Sequence, residues 1–349
     1  MAIGTGTETF AWAFYKFRPV GHNLTSEWDF LYNKAHNEYL NFLATTGAFG
    51  LGSYLLILGI FTIWFIKQEK KLDVVSIALF SGWISVLVTN FFGFSVVVTQ
   101  LILFLFPAMV FVSYEKEKTK VFRLNIPSWS SWIPAIAGMV LLFQLSALWY
   151  ADKRFAHGYQ YDRAGLYAQA TPDLIAAIAI NPGEPIYHDE LATNYSALAV
   201  SAFSAKNATQ AAGLAQLSLA ESDRALAISP ENVNFLKSRT RVYYTLSSLD
   251  PSLNQAAIET LKKTIPLSPN DPKIYYNLAI LEGRAGNSNQ AVADLLKAKA
   301  LKPDYRDAYN ALNIFYEELG QKDNARAILE EYLKKIDPND AQFKATLKK

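Results

Sequence analysis

Residues 270–303 read NDPKIYYNLAILEGRAGNSNQAVADLLKAKALKP, and this stretch decides the fold of the C-terminal part of the chain. Apolar residues return at helical spacing on both sides of Gly286, which indicates two amphipathic helices joined by a turn. The small residues Ala279 and Ala291 allow the two helices to approach each other closely. Pro303 ends the second helix, because proline cannot continue a helix. The stretch therefore predicts an α-helical hairpin.

The ending of this hairpin recurs along the chain. A three-residue pattern, Ile or Leu, then any residue, then proline, ends at Pro182, Pro230, Pro269, Pro303 and Pro338. The last three prolines are 34 and 35 residues apart. This period, together with the order of large, small and turn residues, resembles the tetratricopeptide repeat. The two earlier intervals predict longer, irregular repeats, with second helices that open at Asn207 and Asp250.

The first 150 residues have a different composition. Four segments are long and apolar enough to cross a membrane, since about 20 helical residues span ~30 Å of hydrocarbon. They are Gly47–Ile66, Val74–Phe94, Ser95–Ser113 and Ser131–Tyr150. The sequence therefore predicts an all-α protein with three domains. These are a loop over residues 1–46, four transmembrane helices over residues 47–150, and a solenoid of tetratricopeptide-like repeats over residues 151–349.

Charge predicts the orientation of the spans and excludes some partners. Lysines that follow the first and third spans place those two loops in the cytoplasm by the positive-inside rule. Residues 1–46 and 151–349 are then both extracytoplasmic. Residues 151–349 carry 23 Lys or Arg and 23 Asp or Glu, which argues against nucleic acid as a partner. Cysteine is absent and the four histidines show no metal-ligand spacing, so no metal or other cofactor is expected.

A histidine motif precedes the first span. The string Ala35-His36-Asn37-Glu38 is followed by Gly47 and Gly50, and it accompanies Gly4-Thr-Gly-Thr-Glu-Thr-Phe10 and Asn90-Phe-Phe-Gly-Phe-Ser-Val-Val97. In this order and spacing the three strings resemble the O-antigen ligase and polymerase superfamily of bacterial membrane proteins. The resemblance covers about residues 3–115. It implies a multi-pass protein of the bacterial cytoplasmic membrane.

The resemblance also implies a chemistry. Family members move a glycan from an undecaprenyl diphosphate carrier to an acceptor, which is a lipid, a glycan or a protein. His36 would be the base near the acceptor hydroxyl, because histidine is the side chain type that most readily takes up and releases a proton near neutral pH. Asn37 would orient His36 or bind sugar, and Gly47 and Gly50 would allow close approach. Arg18 is a candidate for the diphosphate, although it lies outside any arginine motif of the family and is otherwise a solvated loop residue.

Two function classes remain open. Family members usually have more spans and further arginines upstream, so the sequence is expected to be the C-terminal part of a larger glycan transferase. The motif does not distinguish a ligase, a polymerase and a protein O-glycosyltransferase. The alternative is a non-catalytic, membrane-anchored scaffold whose repeats bind peptide or protein partners in their groove.

Overall fold

The computed structural model describes residues 2–68, 72–115 and 132–348. Within these ranges the regular elements are helices and there is no strand, so the all-α prediction is confirmed. Contacts divide the chain into two compact units. The first unit comprises Met1–Phe14 and Phe30–Pro127, and the second comprises Tyr15–Asp29 and Ser128–Lys349.

The N-terminal helices include four that are long and apolar enough to cross a membrane, as predicted. The helices are α1 (Phe10–Phe17), α2 (Glu38–Gln68), α3 (Val74–Phe92), α4 (Val97–Glu115) and α5 (Trp132–Arg163). The four candidate spans are α2 to α5, and large apolar side chains on all of them are exposed. Most of the lysines that predict the orientation, and Ser131 at the predicted start of the fourth span, lie outside the described residues. The orientation stays a prediction.

The first span begins earlier than predicted. Helix α2 starts at Glu38 instead of Gly47, because the side-chain oxygen of Asn37 accepts the amide hydrogen of Leu40 at 2.9 Å and so caps the helix. The backbone of Gly47 has φ 72° and ψ −170°, which interrupts the helix with a kink. The predicted boundary at Gly47 therefore corresponds to a bend within α2.

Helices α3 and α4 form the antiparallel hairpin that the short connection at residues 93–96 predicts. Trp83 on α3 is almost fully buried, and its indole nitrogen donates to the carbonyl oxygen of Leu103 on α4 at 2.9 Å. Tyr54 and Leu58 of α2 pack in the same apolar cluster. This cluster is the core of the first unit.

The second unit is an array of helical hairpins. Its remaining helices are α6 (Tyr167–Ile180), α7 (Pro185–Ser204), α8 (Ala208–Ile228), α9 (Val233–Leu246), α10 (Leu253–Thr264), α11 (Pro272–Arg284), α12 (Ser288–Leu301), α13 (Arg306–Glu318), α14 (Lys322–Lys335) and α15 (Ala341–Leu347). The hairpins are α5 with α6, α7 with α8, α9 with α10, α11 with α12, and α13 with α14. Each hairpin ends at one of the five recurring prolines, as the sequence predicts.

Local chemistry explains where these helices start and stop. Asn207 caps α8 by accepting the amide hydrogen of Gln210, which confirms the start predicted there. Gly286 follows α11 with φ 83°, a left-handed conformation that terminates the helix without steric cost. Ala279 and Ala291 are fully buried between α11 and α12, where a larger side chain would separate the helices.

The predicted domains and the two units group the residues differently. The second unit includes α5, the fourth candidate span, and also Tyr15–Asp29 from the predicted N-terminal loop. The domain bounds at residues 46 and 150 rest on hydropathy and stay predictions.

Candidate functional site

The first unit brings together the three strings that carry the family resemblance. The amide hydrogens of Thr5 and Gly6 bond to the carbonyl oxygens of Ala44 and Thr45 at 3.0 and 2.8 Å. Gly4 and Gly47 lie where these backbones cross, and a Cβ atom on Gly47 would overlap the backbone of Ala2 and Gly4. Glycine is therefore required at position 47, and the glycine string is fixed to the kink in α2.

The third string joins the same assembly through α2. The side-chain nitrogen of Asn37 donates to the carbonyl oxygen of Phe91 at 2.9 Å. Glu38 is buried, and its carboxylate accepts the amide hydrogen of Ser95 at 3.2 Å and the side-chain amide of Gln100 at 2.9 Å. Glu38 thereby holds the turn between α3 and α4 against the start of α2.

A cavity of about 580 Å³ lies beside this junction. Its charged and amide lining includes Glu8, Lys34, Glu38, Asn41 and Gln100, and the other lining residues are in equal part polar and apolar, with Phe10, Phe42 and Phe94 among the apolar ones. Glu8 and Lys34 form an ion pair at 3.1 Å. A polar ligand with one apolar face fits such a cavity best. Sequence reasoning did not identify Glu38 as a site residue, and its position directly after the His-Asn pair was the available signal.

His36 is exposed and stands next to the cavity without lining it. Its ring lies edge-on to Phe94, which does line the cavity, with 5.5 Å between the ring centroids, and it also contacts Tyr32 at 6.2 Å. Neither ring nitrogen hydrogen-bonds to a described residue. The imidazole is therefore accessible to a substrate hydroxyl. Its role as a base stays a prediction.

The other predicted site residues have structural partners. Both ends of the Asn37 side-chain amide are bonded within the protein, to Leu40 and to Phe91. Gly50 leaves space for the side chain of Thr46, which a Cβ atom would overlap. Gly47 carries the kink. The predicted substrate contacts of these three residues are untested, and their observed contacts shape the start of α2.

Arg18 belongs to the second unit, not to the unit that holds His36. Its side chain is 4% exposed, so it is not a solvated loop residue. Its guanidinium donates to the side-chain oxygen of Asn23 and to the carbonyl oxygen of Trp28. Arg18 thus closes the loop that contains it. Among the described residues no group of three His, Cys, Asp or Glu side chains is placed to hold a metal ion.

A second candidate site lies on the first helices of successive hairpins, which form the concave surface of a repeat solenoid. A cavity of about 620 Å³ opens between α9, α11 and the start of α13. We call this surface the repeat face, and its lining residues include Lys237, Arg241, Tyr244, Lys273, Tyr276 and Tyr305. Three cations and three tyrosines therefore converge on one cavity.

The charges of the repeat face are only partly neutralised. Lys237 pairs with Asp271 at 2.5 Å, and Lys273 pairs with Asp29. Arg241 is exposed and forms neither a hydrogen bond nor an ion pair with any described residue, although its charge acts on the nearby carboxyl groups of Asp189 and Glu190. Burial raises the pKa of Tyr305, so its hydroxyl stays neutral. The face can offer a guanidinium and tyrosine hydroxyls to an anionic ligand.

The sequence did not reveal these cations as a set. Lys237, Arg241 and Lys273 are ordinary surface residue types, and only the stacking of hairpins brings α9 and α11 together. Tyr276 stands at a helical-repeat position that predicts a core or groove residue, and it lies in the groove. The signal for a shared face was the recurrence of the hairpin ending, which places equivalent helix positions on one side.

The tetratricopeptide repeat family model matches residues 272–305. These residues match one tetratricopeptide repeat, and they lie in an array of TPR-like hairpins. Proteins of this class are suited to protein–protein interaction. No family model of the O-antigen ligase and polymerase superfamily matches, and no curated protein matches the chain. The array of hairpins in the second unit is called the TPR unit below.

Several solved structures are similar to this chain. MamA of Desulfovibrio magneticus RS-1 is 16% identical over 55% of this chain and 98% of its own, with a TM-score of 0.43. A TPR protein of Thermus thermophilus is 20% identical over 57% and 97%, with a TM-score of 0.39. YrrB, a TPR protein with an unusual peptide-binding site, is 14% identical over 56% and 91%, with a TM-score of 0.38.

Proposed function

We propose that this protein is a membrane-anchored scaffold whose repeat face binds an acidic segment of a partner protein. The observation that carries the proposal is the cavity of about 620 Å³ on α9 and α11, where Lys237, Arg241 and Lys273 stand among tyrosines. Among the described residues that line it, Asp29 is the only carboxylate, and it already pairs with Lys273. An incoming carboxylate would find Arg241 open for a two-pronged hydrogen bond.

The apolar helices supply the anchor in this proposal. Helix α5 continues from an exposed apolar stretch directly into the first hairpin, so one helix would join the bilayer to the TPR unit. We propose the bacterial cytoplasmic membrane as the location, with the TPR unit on the extracytoplasmic side as the charge pattern of the loops predicts. The partner would then be a protein of the cell envelope.

The test is peptide selection against the full chain in lipid nanodiscs. We expect selected peptides to be rich in Asp, Glu and aromatic residues. Arg241→Glu should weaken their binding at least tenfold, because it replaces the open cation with a repelling carboxylate. Arg326→Glu on α14 is the matched control, since Arg326 is also exposed and does not line the cavity. If no selected peptide depends on Arg241, the proposal is wrong.

The second candidate function is the transfer of a glycan from undecaprenyl diphosphate to an acceptor. The cavity of about 580 Å³ supports it, because the three strings of the family resemblance meet there and His36 stands beside it. In this function His36 would remove the proton of the acceptor hydroxyl as the diphosphate leaves. The lining residues Lys34, Asn41 and Gln100 would contact the glycan or the carrier.

His36→Ala in the protein as it occurs in the cell tests this second function. We expect a loss of glycan transfer of at least about 100-fold, the usual contribution of a general base, with unchanged membrane insertion. His157→Ala is the control, because His157 is an exposed histidine of the second unit that contacts Asp173. Transfer that persists in His36→Ala would exclude the catalytic role of His36.

A further inference from the structure

The segment Tyr15–Asp29 packs on the TPR unit although more than 200 residues separate it from most of its contacts. It begins with the last turn of α1, which ends at Phe17, contains a short 3₁₀ helix, Val20–Leu24, and otherwise consists of turns and irregular backbone. The segment reaches the loops between hairpins and the edge of the repeat face. A few anchoring residues make most of its contacts with the TPR unit.

Asn23 is the central polar anchor and is completely buried. Its side-chain nitrogen donates to the carbonyl oxygens of Asn270 at 2.9 Å and Leu301 at 3.0 Å. The carbonyl of Leu301 is at the end of α12, where backbone carbonyls lack a partner within the helix. In return, the ammonium of Lys302 donates to the carbonyl oxygen of Asn23 at 2.9 Å. The TPR unit therefore binds both the side-chain amide and the backbone carbonyl of Asn23.

Trp28 and Asp29 form the second anchor. The indole ring of Trp28 lies 5.6 Å from the ring of Tyr305, and the ammonium groups of Lys302 and Lys273 lie 4.6 and 5.1 Å from its centroid. The carboxylate of Asp29 pairs with Lys273. An aromatic ring followed by an acidic residue is thus held by two cations and a tyrosine.

Tyr15 makes the third anchor at the other end of the segment. Its hydroxyl donates to the side-chain oxygen of Asn234 at 2.6 Å, and the ammonium of Lys237 lies 5.4 Å from its ring centroid. Lys237, Lys273 and Tyr305 therefore contact the segment and also line the cavity of the repeat face. The segment and a bound partner would share these three residues.

The apolar side chains between the three anchors are largely exposed to solvent. Phe17 is 64% exposed and Leu24 is 62% exposed, so the apolar contacts of the segment are concentrated at Tyr15, which is buried, and at Trp28, which packs against the core of the TPR unit. A segment held by a few polar and aromatic anchors, with exposed apolar residues between them, has the contact pattern of a bound peptide. An integral element would bury its apolar residues.

We propose that Tyr15–Asp29 is an internal peptide ligand that partly covers the repeat face, and that the protein partner displaces it. The partner segment would present the same chemistry, an aromatic residue followed by an acidic one. This inference rests on the proposed function as a peptide-binding scaffold. It adds to the proposed function the sequence class of the partner segment. It also adds a competition between that segment and residues 15–29 for the repeat face.

The test uses the full chain in nanodiscs and a fluorescent peptide with the sequence of residues 15–29. The released variant carries Asn23→Ala, Trp28→Ala and Asp29→Asn. We expect the peptide to bind this variant at least tenfold more tightly than the wild type, because its own segment no longer competes. The control is Val20→Ala with Leu24→Ala, which changes exposed positions of the same segment and should bind as weakly as the wild type.

Two further measurements extend the test, and the second, made on the wild type, does not depend on the folding of the released variant. Tyr305→Ala added to the released variant should remove peptide binding. In the wild type, an excess of a selected acidic peptide should accelerate amide hydrogen exchange in residues 15–29. Equal affinity of the peptide for wild type and released variant, or unchanged exchange, would overturn the inference. Arg241-dependent binding of other peptides in that case would leave the proposed function intact, whereas its absence would overturn both.

Discussion

Gly47 has a backbone conformation that residues with a side chain rarely adopt. Its φ of 72° with ψ of −170° belongs to a region that is accessible essentially to glycine alone, at a cost of about 1–3 kcal/mol for other residues. A Cβ atom would also overlap the backbone of Ala2 and Gly4. Both effects act at the place where the N-terminal strings of the candidate transferase site meet.

Gly47→Ala should therefore loosen the N-terminal segment from α2. We expect faster hydrogen exchange of the Thr5 and Gly6 amides, which bond to the carbonyls of Ala44 and Thr45, and a lower melting temperature of the first unit in detergent. Gly52→Ala is the matched control, since a Cβ atom there meets no neighbour within 4 Å. Equal exchange in the two variants would contradict the requirement for glycine at position 47.

Single residues also show where sequence reasoning reaches its limit. Gly47 was predicted to let helix and substrate approach closely; the structure shows a close approach of the backbone of Ala2 and Gly4 instead, and the substrate contact stays a prediction. Arg18 was considered either a diphosphate contact or a solvated residue, and it is a buried residue that bonds to Asn23 and Trp28. A requirement for glycine depends on the local backbone conformation, so it can be recognised from a short sequence motif. The burial of an arginine depends on contacts from distant parts of the chain, which leave no local pattern.

At the scale of helices, periodicity predicted most of the second unit. The five prolines each close a hairpin, and Asn207 caps α8 where the sequence indicated a start, because caps and helix breakers act within a few residues. The start of α2 was misplaced, because the apolar run begins at Gly47 while the polar residues from Glu38 onward are already helical. Hydropathy detects the part of a helix that fits the bilayer, not the helix itself.

The segment Tyr15–Asp29, irregular outside the end of α1 and the 3₁₀ helix, was the least predictable part of the chain. It has neither the period of a helix nor the alternation of a strand, so its sequence alone indicates only a loop. Its place on the TPR unit depends on Asn270, Leu301 and Lys302, whose relation to Asn23 arises only after the hairpins have stacked. The repeat face escaped prediction for the same reason, since its cations come from different hairpins.

At the scale of the whole molecule, the stability of the TPR unit depends on the contacts between neighbouring hairpins. Two adjacent carboxyl groups on α7, Asp189 facing α9 and Glu190 facing Asp162 of α5, have raised pKa values. Burial raises the pKa of Asp189 to about 7, and Ser238 and Arg241 on α9 only partly oppose this effect. Burial, together with the neighbouring Asp162, raises the pKa of Glu190 to about 7 as well.

These shifts determine how stability changes with pH. In the unfolded chain the two groups lose their protons near their ordinary values of 3.8 and 4.5, whereas in the folded unit they keep them until about pH 7. The folded state therefore binds more protons between these limits, and stability falls as the pH rises from about 4 to about 7. The contribution of these two carboxyl groups to stability is fully present below the unfolded pKa values of 3.8 and 4.5. It is lost as the pH rises through the folded pKa values of about 7, and it does not change further at higher pH.

Asp189→Asn combined with Glu190→Gln should remove this dependence. In the wild type we expect the urea midpoint of the TPR unit, followed by pulse proteolysis of the full chain in nanodiscs, to fall between pH 5 and pH 8. The double variant should give a markedly flatter profile, because neither replacement titrates. Asp323→Asn, at an exposed position of α14, should keep the wild-type slope. A wild-type midpoint that rises with pH, or a double variant with the full slope, would show that other groups control the acid response of the hairpin array.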